Sequence, residues 1–341
     1  MNILCNKHYQ RAVAGLSAAA LIVLSVVSVL GNFSDSRESI LHIDRDDSAD
    51  SVYHKLRERS GFLSFSAFRL LAAVGNYERH LHVGCYDVGS GHSTLDVFRR
   101  LRNGSQTPIR LTIPVLRTPE DLSVFLGKTL HDSPQQFLAS LTDSTLLAQY
   151  GKRPETAVCL FIPNTYEVYW SSSPQRLIEK MHRESRIFWN NRRLEKARQA
   201  GLSEDEVLTL ASIVEQETAD NAEKPTVAGM YLNRLRKSMP LQADPTVKFA
   251  LREFGLRRIL HKHLTTDSPY NTYKNRGLPP GPICIPSQAS IDAVLNHVRH
   301  EYIYMCAKED FSGSHNFAIT YAEHLQNAKK YIQALDRRGI R

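Results

Sequence analysis

The first long pattern in the sequence is an apolar run from Ala12 to Leu30 that contains no charged residue. A run of about 20 apolar residues crosses the hydrocarbon core of a bilayer as a helix. Lys7 and Arg11 precede the run and charges of mixed sign follow it, so the positive-inside rule predicts a cytoplasmic N-terminus. A cleaved signal peptide is the competing interpretation, but the run exceeds an h-region of about 7–15 residues and ends in a poor cleavage site. We therefore expect an uncleaved anchor.

Beyond the anchor, short segments of alternating and helical spacing predict a small α+β region. The spacing predicts a helix at Ser64–Val74 and strands at His82–Val88 and Ile109–Ile113. Two more helices are predicted to begin after residues suited to the N-cap, Ser93 and Thr118. A proline and two acidic residues follow Thr118, which favours a first helical turn at that point.

A capped amphipathic helix in the second half of the chain carries two candidate catalytic carboxylates. Ser203 and Glu206 stand in the capping-box relation, and the apolar residues that repeat behind them are Val207, Leu210, Ala211 and Val214. Glu215 and Glu217 edge this apolar face on opposite flanks. A carboxylate there loses hydration, which raises its pKa toward the range of a general acid. Spacing alone favours two solvated flank residues and does not choose between the two carboxylates.

The composition is that of a globular protein with more than one domain. The chain has 341 residues, of which 42% are hydrophobic and 23% are charged. Its formal net charge is +8, and it has no RNP-like motif, zinc-finger spacing or arginine-rich block. The charge therefore indicates a generally basic surface or a face near anionic lipid rather than a nucleic-acid site. Five cysteines without a CxxC pair are expected to be free buried thiols.

Ordered sequence blocks in the second half of the chain carry a resemblance to a known family. The blocks read ASIVEQET from Ala211, then NRL and LQADPT, then YNTY and GLPPG from Tyr270, and GSHNF near the end. Together they resemble the endolytic murein transglycosylase (YceG-like) family. Ala243 stands where the family usually has Thr or Ser, and Ile285 stands where a polar residue is common. These departures concern the details of the groove.

The resemblance implies a fold class and a domain organisation. The implied fold is α+β, with a single N-terminal transmembrane helix, a small LysM-like α+β subdomain and a mixed α+β catalytic domain. Residues 1–11 are expected to be cytoplasmic, residues 12–31 to form the transmembrane helix and the polar residues 32–50 to form a linker. Residues 51–150 are expected to form the LysM-like region and a connector, and residues 151–341 the catalytic domain.

The resemblance also implies an activity and a catalytic residue. Members cleave the MurNAc–GlcNAc bond within nascent peptidoglycan strands, which gives 1,6-anhydro-MurNAc ends and limits strand elongation. The family's catalytic acid is the second Glu of E-x-E-T, which is Glu217 here. One carboxylate is enough because the MurNAc 6-hydroxyl attacks within the substrate, so proximity replaces the activation of water. No metal and no organic cofactor is implied.

The matched blocks supply further candidates for binding the glycan, namely Asn233, Arg234, Gln242, Asp244, Thr246, Tyr270, Asn271, Thr272 and Tyr273. Each group of candidates has a structural alternative. The residues from Tyr270 to Tyr273 are equally suited to loop packing, Asp244 to a helix N-cap, and Asn233 and Arg234 to bracing a loop. His315 and Glu323 are expected to be structural.

Two alternative functions stay open. The first is a hydrolytic muramidase in which Glu217 is the acid and Asp244 assists a water. The second is a non-catalytic, membrane-tethered glycan-binding scaffold. The expected partners are peptidoglycan strands, membrane lipid through the N-terminal helix and peptidoglycan synthases, with no nucleic acid. The expected location is the bacterial inner membrane, with the N-terminus in the cytoplasm and the catalytic domain in the periplasm.

Overall fold

The computed structural model describes residues 2–37, 39–256 and 258–338 of the chain. Met1 and residues 339–341, the end of the predicted catalytic domain, lie outside the described residues. Helices and two-stranded sheets are both present, which confirms the predicted α+β fold class.

The chain divides into two compact units. The first unit contains the part up to Leu111 together with Glu167–Ser172, and the second contains Thr112–Tyr166 and the part from Ser173 onward. This division differs from the predicted boundaries at residues 50 and 150, because the segment after Leu111 belongs with the later part of the chain.

The first unit is built from a strand pair and short helices. Its elements are α1 (Asn2–Leu30), β1 (Ile40–Ile43), α2 (Ala49–Arg57), α3 (Phe62–Val74), a 3₁₀ turn (Tyr77–Arg79), β2 (Gly84–Asp87) and α4 (Thr94–Asn103). The boundary between the units passes through two paired strands, β3 (Ile109–Thr112) and β4 (Thr165–Val168). The predicted helices and strands of this region are therefore confirmed, with ends shifted by a few residues.

Strands β1 and β2 pair antiparallel, with Ile40 opposite Asp87 and Ile43 opposite Gly84. The core beneath them is aromatic, and Phe33, Phe68 and Tyr77 are fully buried in it. Residues 32–50 were expected to form a linker, but they contain β1 and the buried Phe33 because alternate residues of this polar segment face the core. The strand–helix–helix–strand order follows from these elements, and the LysM-like assignment stays a prediction.

Helix α1 has the properties of a membrane anchor. Val13–Leu30 has a mean hydropathy of 2.5 and is not buried against the rest of the chain, so this helix is long and apolar enough to cross a membrane. It is consistent with the predicted single-pass anchor. The cysteines at 85, 159 and 284 are free and buried, and Cys306 is free and half-buried, in agreement with the expectation of free thiols.

The second unit is mainly helical. Its elements are α5 (Pro119–Thr129), α6 (Pro134–Thr142), α7 (Ser144–Ala148), a 3₁₀ helix (Pro154–Leu160), α8 (Pro174–Phe188), α9 (Asn191–Ala200), α10 (Glu204–Glu217), α11 (Lys224–Arg236), α12 (Asp244–Leu251), α13 (His261–Leu264), α14 (Gln288–Leu295), β5 (Tyr304–Ala307), β6 (His315–Ala318) and α15 (Tyr321–Arg337). Strands β5 and β6 pair antiparallel, and α15 packs against both.

Helix α10 lies at the centre of this unit. The predicted capping box is confirmed, since the Ser203 hydroxyl accepts from the Glu206 amide while the Glu206 carboxylate accepts from the Ser203 amide. Every residue from Val207 to Val214 is buried, because α10 packs against α11, α12 and α14 on several sides. The buried residues thus hold α10 in place, and the half-buried residues after Val214 lie at the edge of the core.

Candidate active site

A cleft of about 360 Å³ lies in the second unit at the C-terminal end of α10. Helices α11, α12 and α15 and the β5–β6 pair contribute its walls. Of the residues predicted to form a site, the cleft is lined by Glu217, Arg234, Gln242, Asp244 and Tyr273. Further polar and aromatic lining comes from Tyr231, Tyr304, His315, Tyr321 and His324.

Glu217 is the last residue of α10 and is half-buried at the edge of the cleft. The hydroxyl of Tyr231, a buried residue of α11, donates a hydrogen bond of 2.6 Å to Glu217 Oε1. Among the described residues, no other hydrogen-bond donor reaches this carboxylate. One side of the carboxyl group is therefore held by the protein, and the other side faces the cleft.

The surroundings of Glu217 favour its neutral form. The pKa of Glu217 is raised from 4.5 to about 7. Burial is the largest cause and the nearby Asp244 carboxylate adds to it, while the hydrogen bond from Tyr231 and the charges of His315 and Lys248 oppose the shift. A carboxyl group whose pKa lies near neutral pH holds a proton that it can give away and take back. Glu217 therefore has the property that general acid–base catalysis requires.

Glu215, the other candidate, is held by the protein through one of its carboxylate oxygens. Its Oε2 accepts hydrogen bonds of 2.5 Å from the hydroxyls of Ser287 and Ser290, and the Lys224 ammonium lies 3.3 Å away. Burial alone would raise the pKa of Glu215, but these hydrogen bonds and the Lys224 charge outweigh it and lower the pKa. Glu215 therefore stays charged and connects α10 to the start of α14. The hydrogen bonds in the structure thus distinguish two carboxylates that helical spacing leaves equivalent.

Asp244 lies on the same cleft at the first turn of α12. Its Oδ1 accepts a hydrogen bond of 2.6 Å from the Tyr273 hydroxyl, whose pKa is raised by burial, so that it stays a donor. Asp244 is not the N-cap of α12, which was its expected structural alternative. Ala243 occupies the N-cap position, and no side chain caps this helix. Asp244 is exposed to the cleft as a second carboxylate.

Arg234 and Asn233 brace the wall of the cleft. The Arg234 guanidinium donates 2.6 Å to the Ile303 carbonyl, 2.8 Å to the Leu241 carbonyl and 3.2 Å to Gln242 Oε1. Asn233 Nδ2 donates to the carbonyls of two residues just before β5. Both side chains use their donors on the protein, although Arg234 also borders the cleft.

Gln242 has an unusual backbone conformation for a residue with a side chain, with a φ of 53°. Its amide donates 3.1 Å to the Thr272 carbonyl, and its side chain accepts from Arg234. These contacts hold the Gln242 side chain at the cleft while the backbone turns into α12. Strain of this kind persists only where surrounding contacts over-determine it, as they do here.

The remaining predicted residues lie behind the cleft wall. The Thr246 hydroxyl donates 2.6 Å to the Ala243 carbonyl and contacts the Thr272 hydroxyl at 2.8 Å. Asn271 Nδ2 donates to the carbonyls of Leu264 and of Thr266, and Asn271 is fully buried. The Tyr270 ring packs on Phe249 at 4.7 Å between centroids. Tyr270, Asn271 and Thr272 thus have the environment of the loop-packing alternative, and Thr246 is buried against Thr272 instead of lining the cleft.

Several residues that line the cleft are not among the candidates predicted from the sequence. Tyr231 has no local signal, because only the packing of α11 on α10 brings it to Glu217. His315 was expected to be structural, and its Nδ1 does pair with the buried Glu223 carboxylate at 2.8 Å, but it also lines the cleft. Glu323 forms the capping box of α15 with Thr320 and is structural.

Comparisons with known proteins match one family over most of the chain. The family model described as the YceG-like family matches residues 41–330 of the chain. An endolytic murein transglycosylase of Bacillus subtilis (strain 168) is 27% identical over 317 residues, covering 88% of this chain and 87% of the relative. An endolytic murein transglycosylase of Streptococcus pneumoniae (strain R6) is 27% identical over 312 residues, covering 81% of this chain and 55% of the relative. The chain thus spans about half the length of the pneumococcal protein.

A solved structure is similar over most of its length. The crystal structure described as a YceG-like protein of Listeria monocytogenes matches with a TM-score of 0.56 at 27% sequence identity. The match covers 85% of this chain and 98% of that chain.

Proposed function

The chain belongs to the YceG-like family, and we propose that it is a lytic transglycosylase that cleaves peptidoglycan strands internally, as the name endolytic murein transglycosylase of its relatives indicates. The observation that carries the proposal is the state of Glu217. This carboxyl group faces an open cleft, has a pKa raised to about 7 and, within the described part of the chain, accepts a single hydrogen bond, from Tyr231. A half-buried acid whose pKa lies near neutral pH is what cleavage of a glycosidic bond needs.

Glu217 first acts as the acid. Its proton passes to the oxygen that bridges MurNAc C1 and GlcNAc, and the bond between that oxygen and C1 breaks. The resulting Glu217 carboxylate is stabilised by the Tyr231 hydroxyl, which burial keeps protonated. The hydrogen bond therefore strengthens as negative charge develops on Glu217, which lowers the barrier to proton transfer.

Glu217 then acts as the base. The MurNAc 6-hydroxyl gives its proton to the Glu217 carboxylate while the oxygen bonds to C1, which closes the 1,6-anhydro ring and restores the protonated acid. The nucleophile is part of the same sugar, so its effective concentration is high and no second catalytic carboxylate is required. Among the candidates that line the cleft, Gln242 and the Asp244–Tyr273 pair are the residues that we expect to hydrogen-bond sugar hydroxyls.

A hydrolytic muramidase is the second candidate function, since Asp244 favours it. This exposed carboxylate lines the same cleft as Glu217 and its charge contributes to the raised pKa of Glu217. An inverting hydrolase holds a water between two carboxyl groups that are about 6.5–9.5 Å apart. In the structure Asp244 already accepts a hydrogen bond from Tyr273, which reduces its strength as a base for water.

Digestion of purified glycan strands tests the proposed activity. The full chain is incubated with long strands, and the soluble products are analysed by mass spectrometry. Internal cleavage by a lytic transglycosylase gives shorter fragments that end in 1,6-anhydro-MurNAc. Glu217→Gln is expected to remove the activity, whereas the matched Glu204→Gln in the first turn of the same helix keeps it. Equal activity of Glu217→Gln and the wild type would remove Glu217 from the mechanism. Binding of strands without any cleavage by the wild type would leave a non-catalytic scaffold as the better account.

The proposed location follows from α1. The helix spans the cytoplasmic membrane once, Lys7 and Arg11 keep the N-terminus in the cytoplasm, and both units lie on the outer side beside the enzymes that polymerise glycan strands. A reporter that is active only outside the cytoplasm, fused after Arg338, is expected to be active. If that reporter is inactive and a reporter that works only in the cytoplasm is active at the same position, the proposed orientation is wrong. Cross-linking in cells tests the contact with the polymerases.

A further inference from the structure

Helix α3 in the first unit turns large apolar side chains outward, the reverse of an ordinary surface helix. Val74 is 82% exposed, Phe62 is 81% exposed and Leu70 is 66% exposed. Together with the half-exposed Leu63 they recur at helical spacing and so lie on one side of the helix, which we call the apolar face of α3. The opposite side buries Phe68 in the aromatic core of the unit. Exposed patches of this kind mark a surface that meets lipid or another protein.

The few polar groups on this side of α3 are satisfied within the unit. The Ser66 hydroxyl donates 2.8 Å to the carbonyl one turn earlier, as the hydroxyls of Ser25 and Ser28 do in α1. Arg69 is the one charged residue of α3; it is exposed, and its guanidinium lies 4.0 Å from the centre of the ring of the buried Tyr53. Serine bonded to its own helix is the usual way in which hydroxyls are placed in apolar surroundings.

The apolar face lies next to the end of α1. Helix α3 packs against α1, and the Ser64 hydroxyl donates 3.0 Å to the Asn32 carbonyl, two residues beyond the end of that helix. The Thr94 amide donates 3.1 Å to the Gly31 carbonyl, so the chain enters the folded unit directly from the anchor. At about 1.5 Å per residue, the apolar part of α1 is about as long as the bilayer core is thick. The end of α1, and with it α3, therefore lies at the bilayer surface.

We propose that the apolar face of α3 inserts into the outer leaflet of the membrane that α1 spans, so that the first unit rests on lipid. The occupant is lipid because α3 packs against α1, whose apolar surface is exposed and long enough to cross a membrane, and is bonded to the chain just beyond its end. A short helix that is apolar on its outer side and lies parallel to the bilayer surface is stable at the boundary between headgroups and acyl chains. The inference rests on the anchoring role of α1 and not on the proposed catalysis.

Photo-cross-linking in vesicles tests the insertion. The full chain is prepared with a photoreactive amino acid at one position and reconstituted in phosphatidylethanolamine–phosphatidylglycerol vesicles. Position 27 in α1 is the positive control for anchoring, and the exposed position 54 on α2 is the negative control. Lipid adducts are expected from positions 70 and 74 as from position 27, with none from position 54. No adduct, or an adduct to a second copy of the chain, from positions 70 and 74 would overturn the proposal when position 27 labels lipid.

A charge on the apolar face provides a second test. Val74→Glu is expected to reduce lipid adducts from position 70 severalfold and to leave the unfolding temperature in detergent unchanged, because Val74 is exposed. Undiminished labelling in this variant would show that the face does not enter the leaflet. Activity on soluble strands serves as an independent readout, since the proposed catalysis by Glu217 does not depend on α3.

Discussion

Tyr231 and Glu217 are joined by a hydrogen bond of 2.6 Å that links α11 to the end of α10. Tyr231 comes from the buried side of its helix, so the bond fixes the carboxyl group with respect to the core while one side stays open to the cleft. The bond favours the charged form of Glu217, and burial favours the neutral form. The balance places the pKa of Glu217 at about 7, and the testable consequences follow from this balance.

Glu217→Gln is expected to lower kcat by about 10²–10⁴-fold, which is the usual contribution of general acid–base catalysis. Gln keeps the shape and the hydrogen bond from Tyr231 but neither donates nor accepts the catalytic proton. Initial rates of strand cleavage measure the effect, with Glu204→Gln as the matched change on the same helix. A loss of less than tenfold would remove Glu217 from the mechanism.

The stability of the fold is expected to depend on the protonation of Glu217. Its pKa in the folded state, about 7, lies above the ordinary value of 4.5. A raised carboxyl pKa contributes stability that is fully present below about pH 4.5 and is lost as the pH rises through about 7. Glu217→Gln removes this dependence and is therefore expected to gain about 1–3 kcal/mol relative to the wild type between pH 5 and pH 8, after allowance for water in the cleft. Thermal unfolding of the variant and the wild type at both pH values measures the difference in stability between them. A difference that does not change with pH would contradict the raised pKa of Glu217.

Tyr231→Phe is expected to shift the pH dependence of cleavage upward. Removing the hydroxyl takes away the hydrogen bond that lowers the pKa of Glu217, so the carboxyl group keeps its proton to a higher pH. The alkaline limb of kcat/KM against pH moves up, while the rate at the optimum falls because the Glu217 carboxylate loses a stabilising donor. Tyr331→Phe on α15 is the control. A lower rate with an unmoved alkaline limb would assign Tyr231 a purely structural role.

Glu215→Gln is expected to affect stability rather than chemistry. The carboxylate accepts from Ser287 and Ser290 and pairs with Lys224, whose side chain is 4% exposed. Removing the charge leaves the buried Lys224 ammonium without its partner, which costs about 2–4 kcal/mol. A lower unfolding temperature with cleavage per folded molecule within a few-fold of the wild type is the expected outcome. An unchanged unfolding temperature with abolished cleavage would assign the catalytic role to Glu215 instead.

Local signals in the sequence predicted local features of the fold. The capping box of Ser203 and Glu206 involves residues within one turn, so its pattern is visible without any knowledge of packing. The start of α5 behind Thr118 and the apolar α1 are of the same kind. The strand and the buried residues within 32–50 could not be predicted locally, because their partners are far away in the chain. Phe33 packs on Phe68, and the buried Leu41 of β1 pairs with Tyr86.

The site was predictable only in part, because a sequence motif gives the types of residues but not which of their side chains face the cleft. Asn271 and Thr272 are polar residues in a matched block, yet they are buried and bond to the protein backbone. Tyr231 in α11 bonds to Glu217 at the end of α10, and no spacing rule within one helix relates the two positions. Glu215 and Glu217 were separated by the resemblance in the sequence and are separated by hydrogen bonds in the structure, which are independent arguments.

The most direct test of the central claim is the fate of water oxygen during cleavage. The wild-type chain is incubated with glycan strands in water labelled with heavy oxygen, and the new MurNAc ends are weighed by mass spectrometry. A single carboxylate at Glu217 acting as acid and then base predicts anhydro ends that are one water molecule lighter than a reducing end and carry no label. Reducing ends that carry the label would show that water attacks C1, and would contradict the account in favour of a muramidase assisted by Asp244.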